Sequence, residues 1–200
     1  MTAPSTAHAR RRGRPPAASR EAVLAAALHA YLRGERIDVQ AIAGELGLGR
    51  TTVYRWFGSR ERLVGEVVVR AAEPLFDEAR AQARGRGGAA LLDTFDRINQ
   101  GLASAPALRT FLELERDALR ILTSSGGPVQ PRMVAKIHGY IEEEVARGYA
   151  PPVDPATLAY AIVRLAEAFL YNDATAAVRG DVGRLREIEA ALLGVRTSSA

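Results

Sequence analysis

Apolar residues recur along most of the chain at intervals of three and four positions, the spacing that places side chains on one face of an α-helix. Leu24, Leu28 and Tyr31 follow it near the N-terminus, and residues 158–169 repeat it near the C-terminus. No stretch alternates apolar and polar residues as a half-buried strand does. The pattern predicts an all-α fold of about nine helices.

Two of the expected helices have features that can be tested against the structure. A helix from Arg60 to about Arg84 contains Pro74, so a kink or a break is expected inside it. Residues 108–122 are apolar on more than one face, which is typical of a helix at the centre of a protein. The expected helix N-caps are Ser19, Asp38, Ser59 and Asp154.

Residues 40–63, QAIAGELGLGRTTVYRWFGSRERL, contain two short amphipathic segments that meet at a turn. Gly47 and Gly49 interrupt the first segment, and glycine enters the left-handed backbone region without steric cost. Val53 and Phe57 share one face of the second segment, whereas its other faces carry guanidinium, hydroxyl and aromatic groups. A helix-turn-helix needs this combination of a bracing helix and a helix that enters the major groove.

This stretch resembles the DNA-binding module of the TetR family of transcriptional regulators. Two positions depart from the family pattern: Gly49 stands where Ser or Thr usually caps the recognition helix, and Thr51 stands where Gly is common. The operator of a relative therefore cannot be transferred to this chain. The matching residues are Ile42-Ala43, Gly47, Thr52-Val53-Tyr54, Trp56-Phe57 and Ser59-Arg60-Glu61-Arg62-Leu63.

Positive charge is concentrated beside this module. Residues 1–65 carry eleven arginines and five acidic residues, whereas the whole chain has a formal net charge of only +4. Such a basic region attracts phosphates regardless of sequence. We expect a disordered basic arm at 1–18, a helix-turn-helix domain at 19–65 and a helical regulatory and dimerisation domain at 66–200.

The predicted DNA contacts come from the arm and from the second segment of the motif. Arg12-Gly13-Arg14-Pro15 resembles the core of an AT-hook, which lies in the minor groove; the alternative is a solvated charged tail. The family resemblance implies a phosphate contact for Tyr54, which could also pack against the first helix, and for Arg60. The residues predicted to contact either base edges or the DNA backbone are Arg12, Arg14, Arg50, Thr51, Thr52, Tyr54, Arg55, Trp56 and Arg60.

The remaining residues are predicted to dimerise and to bind a small molecule. A two-fold dimer reads two half-sites of a palindromic operator, and helices 154–172 and 182–194 are the expected interface through Ala161, Leu165, Ala168, Leu185 and Leu192. The same stripes could instead be intramolecular core. The family resemblance implies an effector pocket among the middle helices, and the C-terminal pattern resembles QsdR-like regulators, whose effectors are lactones. The expected ligand-lining residues are Phe95, Phe111, Tyr140, Phe169, Tyr171 and Asn172.

Other classes of protein fit the sequence less well. The chain has no cysteine and no apolar run of the roughly 18 residues that a membrane span needs. His138 and Glu142 are spaced as a charged helix face rather than as a metalloprotease motif, so no enzyme activity, metal or cofactor is expected. We expect a cytoplasmic regulator, and the family resemblance implies a repressor. The alternatives are an architectural DNA-binding protein and, more remotely, a helical enzyme.

Overall fold

The computed structural model describes residues 19–171 and 181–196, and it confirms the all-α fold. Within these residues there are ten helices and no strand. They are α1 (Arg20–Leu32), α2 (Val39–Glu45), α3 (Arg50–Phe57), α4 (Arg60–Gln82), α5 (Gly88–Ser104), α6 (Pro106–Leu114), α7 (Ala118–Thr123), α8 (Val129–Val145), α9 (Pro155–Tyr171) and α10 (Val182–Leu192).

The four predicted N-caps, Ser19, Asp38, Ser59 and Asp154, all cap their helices. The Ser19 hydroxyl accepts a hydrogen bond from the Ala22 amide at 3.1 Å, and Asp38 accepts from the Gln40 amide at 2.8 Å. Ser59 caps α4 in the same way. Gly49 provides no side-chain cap for α3, so this helix depends more on tertiary packing than its neighbours do.

The prediction of one central helix over residues 108–122 is wrong. α6 ends at Leu114, the backbone of Glu115 is extended, and α7 begins at Ala118. Leu114 is 52% exposed and Leu119 is 44% exposed, so these apolar residues lie on the surface. The polar run 115–117 breaks the helix, and this division accounts for a tenth helix where about nine were expected.

α4 continues through Pro74, so no break occurs at this residue. Proline removes one backbone N–H from the helix, and the Arg70 carbonyl loses its helical donor. Both Pro74 and Arg70 are exposed, so water can satisfy that carbonyl.

The core consists of two clusters that meet on α4. The first joins α1, α2, α3 and the beginning of α4 to Leu108, Ile121, Leu122 and Val129. The second packs the later part of α4 against α5, α8, α9 and α10. The domain boundary expected after residue 65 therefore falls inside a continuous helix, and the first cluster extends beyond it. No helix in the described parts of the chain is long and apolar enough to cross a bilayer.

Candidate DNA-binding helix and ligand cavity

α3 is held by two buried anchors and presents its other side to solvent. Val53 and Phe57 are buried in the first core cluster, as predicted. Arg50, Thr51 and Arg55 are exposed, and the partly buried residues of this helix are Thr52, Tyr54 and Trp56. Gly47, with φ of 64°, makes the turn that sets α3 against α2. The predicted base-reading residues are thus accessible on one helix.

Arg50 and Tyr54 form a pair on the exposed side of α3. An Arg50 Nη2 atom donates a hydrogen bond to the Tyr54 hydroxyl at 3.1 Å, and the guanidinium carbon lies 5.2 Å from the centre of the tyrosine ring. The ring also packs partly against the first core cluster. Packing and hydroxyl exposure, the two alternatives for Tyr54, are therefore compatible.

Arg20 connects three helices and was not identified from the sequence. Its guanidinium lies 4.5 Å from the centre of the Phe57 ring and donates hydrogen bonds to both carboxylate oxygens of Glu66. Glu21 pairs with Arg70 one turn further along α4. These contacts hold the start of α1 and the end of α3 against α4. An arginine next to an N-cap gives no sign in the sequence that it connects helices in this way.

Arg60 faces the protein and not the solvent around α3. Its Nη2 atom lies 2.6 Å from a carboxylate oxygen of Glu115, and its Nε and Nη2 atoms donate to the Ile37 carbonyl at 3.3 Å. Glu115 is buried at the α6–α7 junction. Arg60 thus ties the start of α4 to the α1–α2 loop and to the α6–α7 junction. Arg12 and Arg14 lie outside the described residues.

A cavity of about 360 Å³ lies beside the middle of α4. Its wall is mainly aliphatic, and α4 contributes Val68, Val69, Ala72, Leu75 and Phe76. α1 contributes Tyr31 and Leu32 from the N-terminal helices, and residues of α5 to α10 complete the described part of the wall. Its volume is at the lower end of the range for small-molecule sites.

The residues expected to line a pocket fall into different places. Phe95 and Tyr171 line this cavity. Phe111 instead packs against the Tyr31 ring, with centroids 5.9 Å apart, and faces a much smaller depression. Tyr140 and Phe169 are buried outside the cavity wall, and the Tyr140 hydroxyl donates to the Phe76 carbonyl at 3.2 Å. Asn172 lies outside the described residues.

Three polar residues of the cavity wall were missed from the sequence. The Asn99 amide nitrogen donates to both carboxylate oxygens of Glu189, at 3.0 and 3.2 Å. Burial raises the pKa of Glu189 to about 7. Glu167 also lines the wall, and burial raises its pKa although Arg164 lies 2.7 Å away. Glu189 lies four residues after Leu185, on the same apolar face of α10, so the sequence pattern could have indicated that Glu189 is buried.

The two helices expected to form a dimer interface are partly exposed to solvent. Tyr160 is 52% exposed and Ala168 is also exposed, whereas Ala161, Leu165 and Leu192 are partly buried. Leu185 is fully buried within the chain, so it cannot contribute to an interface, contrary to the expectation. Leu185 therefore belongs to the intramolecular packing, whereas Leu192 of the same stripe stays partly exposed.

Comparison with known proteins agrees with this architecture. A family model for the tetracyclin repressor-like C-terminal domain matches residues 86–194. No curated protein matches the chain. The fold is similar to that of the TetR-family transcriptional repressor QsdR from R. erythropolis, with 27% identity and a TM-score of 0.83 over 90% of this chain and 97% of QsdR.

A second solved structure shares the fold. This is the TetR-family repressor AlkX from Dietzia sp., with 22% identity and a TM-score of 0.60 over 88% of this chain and 96% of AlkX. The family model covers more than half of the chain, and the helix-turn-helix motif at residues 40–63, outside the matched region, agrees with the same family. The chain therefore belongs to the TetR family of DNA-binding transcriptional regulators.

Proposed function

We propose that the chain is a homodimeric repressor that leaves a palindromic operator when a small molecule fills the cavity beside α4. The observation that carries this proposal is the continuity of α4. The helix begins at Arg60, directly after the turn that follows α3, and reaches the cavity wall at Val68 and Phe76 without a break. A ligand that displaces this wall therefore acts on the helix that supports the recognition helix. Similarity to the repressor QsdR supports repression.

Release requires two states with different affinities for the ligand. The unliganded dimer favours the spacing of the two α3 helices that fits the operator, and the ligand favours another spacing. A ligand that bound both states equally would shift nothing, however tightly it bound. A differential affinity of a few kcal/mol is enough to empty the operator.

Dimerisation supports this function because one recognition helix makes few base contacts. Two half-sites read together add their binding energies and match the two-fold symmetry of a palindrome. The proposed interface remains on helices 154–172 and 182–194, now centred on Tyr160 and Ala168. Tyr160 is a large apolar ring on the solvent side of α9, and such rings are enriched in interfaces.

The proposed DNA contacts are those of the sequence analysis, with one condition. Arg50, Thr51 and Arg55 can reach base edges from the exposed side of α3, since an arginine can bind guanine through two hydrogen bonds. The Tyr54 hydroxyl is proposed to contact a phosphate. Arg60 can contact a phosphate only if its guanidinium leaves Glu115. The full proposed set is Arg12, Arg14, Arg50, Thr51, Thr52, Tyr54, Arg55, Trp56 and Arg60.

Further parts of the proposal concern the effector and its setting. The resemblance to QsdR-like regulators leads us to propose a lactone as the effector. Membership of the TetR family leads us to propose a regulator that has no catalytic activity and acts in the cytoplasm. An architectural protein that binds DNA without sequence preference is the alternative, since the basic N-terminal region alone would provide such binding. Sequence preference separates the two functions.

The experiment is selection of bound duplexes from a random pool at an ionic strength of about 0.15 M. A repressor of this kind enriches a two-fold symmetric sequence. Arg55→Ala should then weaken binding to that sequence by about 1–3 kcal/mol per half-site, whereas Arg132→Ala, an exposed arginine of α8, should leave it unchanged. Retention of DNA without an enriched sequence would favour the architectural alternative.

A further inference from the structure

The polar part of the cavity wall is acidic. Among the described residues of the wall, Glu167 and Glu189 carry the ionisable carboxyl groups, and the wall contains no Lys, Arg or His. An anionic group in this cavity would therefore lose its hydration without gaining a cationic side chain among the described residues of the wall. Burial of an unpaired charge in apolar surroundings is strongly unfavourable. Among its described side chains, the wall thus offers a carboxylate or a phosphate no oppositely charged partner.

The two carboxyl groups are not equivalent. Arg164 donates to Glu167 at 2.7 Å and partly neutralises it. Glu189 is 0% exposed, and its described hydrogen-bond partner is the neutral amide of Asn99, which is itself buried. The nearest arginine on its own helix, Arg186, pairs with Asp96 at 3.3 Å. Glu189 is therefore held in place by Asn99 without a direct partner of opposite charge among the described ion pairs.

Glu189 has acceptor capacity beyond these two hydrogen bonds. A carboxylate offers about four lone-pair sites, and a protonated carboxyl group still accepts through its carbonyl oxygen. A ligand group with an N–H or O–H can therefore donate to Glu189 in either protonation state. Because Asn99 holds both oxygens, such a group would meet a preorganised acceptor in a mainly apolar cavity. Glu189 is fully buried in this structure, so the ligand head reaches it by displacing neighbouring side chains of the wall.

We infer that the cavity binds molecules with an apolar body and one hydrogen-bond-donating head that carries no negative charge, and that Glu189, positioned by Asn99, receives this head. The apolar body lies along the aliphatic wall of α4. This inference rests on the proposed function, since it describes the effector of the same site. A lactone meets the requirement only when it also carries an N–H or O–H group.

The experiment compares three probes that share one alkyl chain and differ in the head group: decylamine, decanol and decanoate. Binding is measured by isothermal titration calorimetry on the full chain, at probe concentrations below micelle formation. We expect decylamine and decanol to bind and decanoate to bind at least about tenfold more weakly, since ionised decanoate has no donor for Glu189 and carries a negative charge.

Two variants of α10 locate the head group. Glu189→Gln replaces one acceptor oxygen with a donor, so it should weaken decylamine binding by about tenfold or more and reduce the preference over decanoate. Glu187→Gln, on the exposed side of the same helix, should change neither value. Equal binding of decylamine and decanoate to the unmodified chain would overturn the inference, as would an unchanged preference in Glu189→Gln or no binding of any probe.

The same samples separate this inference from the proposed function. Decylamine that binds through Glu189 but leaves the operator complex intact would refute the release mechanism and support the ligand class. Anion-selective release of the operator would support the release mechanism and refute the ligand class. A gel-shift assay with the selected operator, run at the saturating concentrations found by calorimetry, provides this comparison.

Discussion

Replacing Glu189 with glutamine should change how the stability of the protein depends on pH. Glu189 is fully buried, and burial raises its pKa from 4.5 to about 7. Asn99 lowers this pKa, Asp96 raises it and Arg186 lowers it again. Glu167 on α9 is the other carboxyl group in the same cavity wall. Glutamine keeps the size and one acceptor oxygen but cannot ionise.

The sign follows from the direction of the shift. A carboxyl group with a raised pKa binds its proton more tightly in the folded state, so the folded protein is favoured at low pH. This contribution is fully present below about pH 4.5 and is lost as the pH rises through about 7. A pKa that rises from 4.5 in the unfolded chain to about 7 in the folded protein corresponds to about 3 kcal/mol. The advantage of Glu189→Gln over the unmodified chain should therefore grow by about 3 kcal/mol between acidic and mildly alkaline pH.

Urea unfolding followed by circular dichroism measures this difference. The free energy of unfolding is determined for both proteins at about pH 5 and about pH 8, with protein concentration held constant because dimerisation contributes to apparent stability. Glu187→Gln removes an exposed carboxyl group two residues away and should show little change with pH. A difference between Glu189→Gln and the unmodified chain that is independent of pH would refute the reasoning.

Two further variants test how α4 is packed. Gly65→Ala would place its Cβ 2.5 Å from the Pro128 ring, so it should destabilise the protein by about 1–3 kcal/mol in urea unfolding. Gly139→Ala has open space around its Cβ and should stabilise α8 by up to about 1 kcal/mol. Equal effects of the two variants would contradict the close approach of Gly65 to Pro128. Glu115→Gln removes the charge partner of Arg60 and should lower the free energy of unfolding by about 1–3 kcal/mol in the same assay, and an unchanged urea midpoint would show that this pair is not needed.

The helix-turn-helix was predictable because its signals are local. Capping by Ser19 and Asp38, the glycine turn and the anchors Val53 and Phe57 depend on residues within one or two helical turns of each other. The prediction of one central helix was wrong at residues 108–122, where the apolar character suggested burial. Whether Leu119 is covered depends on how distant helices pack, and no local pattern contains that information.

The cavity was predictable only in part. Periodicity shows which face of a helix is buried, but a void appears only where several helices fail to fill the space between them. Phe95 and Tyr171 border this void, whereas Tyr140 is buried but does not border it. A search of the apolar stripes for carboxyl and amide groups, instead of aromatic rings, would have found Glu189 and Asn99.

The position of the cavity bears on how a ligand could affect α3. Tyr31 and Leu32 of α1 are part of the DNA-binding domain, and both also line the cavity. Tyr31 belongs to the same core cluster as Val53 and Phe57, the anchors of α3. A ligand in the cavity, as proposed above, would therefore touch the cluster that holds the recognition helix, as well as α4. Because a close-packed core has few intermediate arrangements, a displacement at Tyr31 is passed on to α3 or resisted as a whole. On the proposed mechanism the signal would need no hinge between two domains, because Tyr31 belongs both to the cavity wall and to the cluster that supports α3.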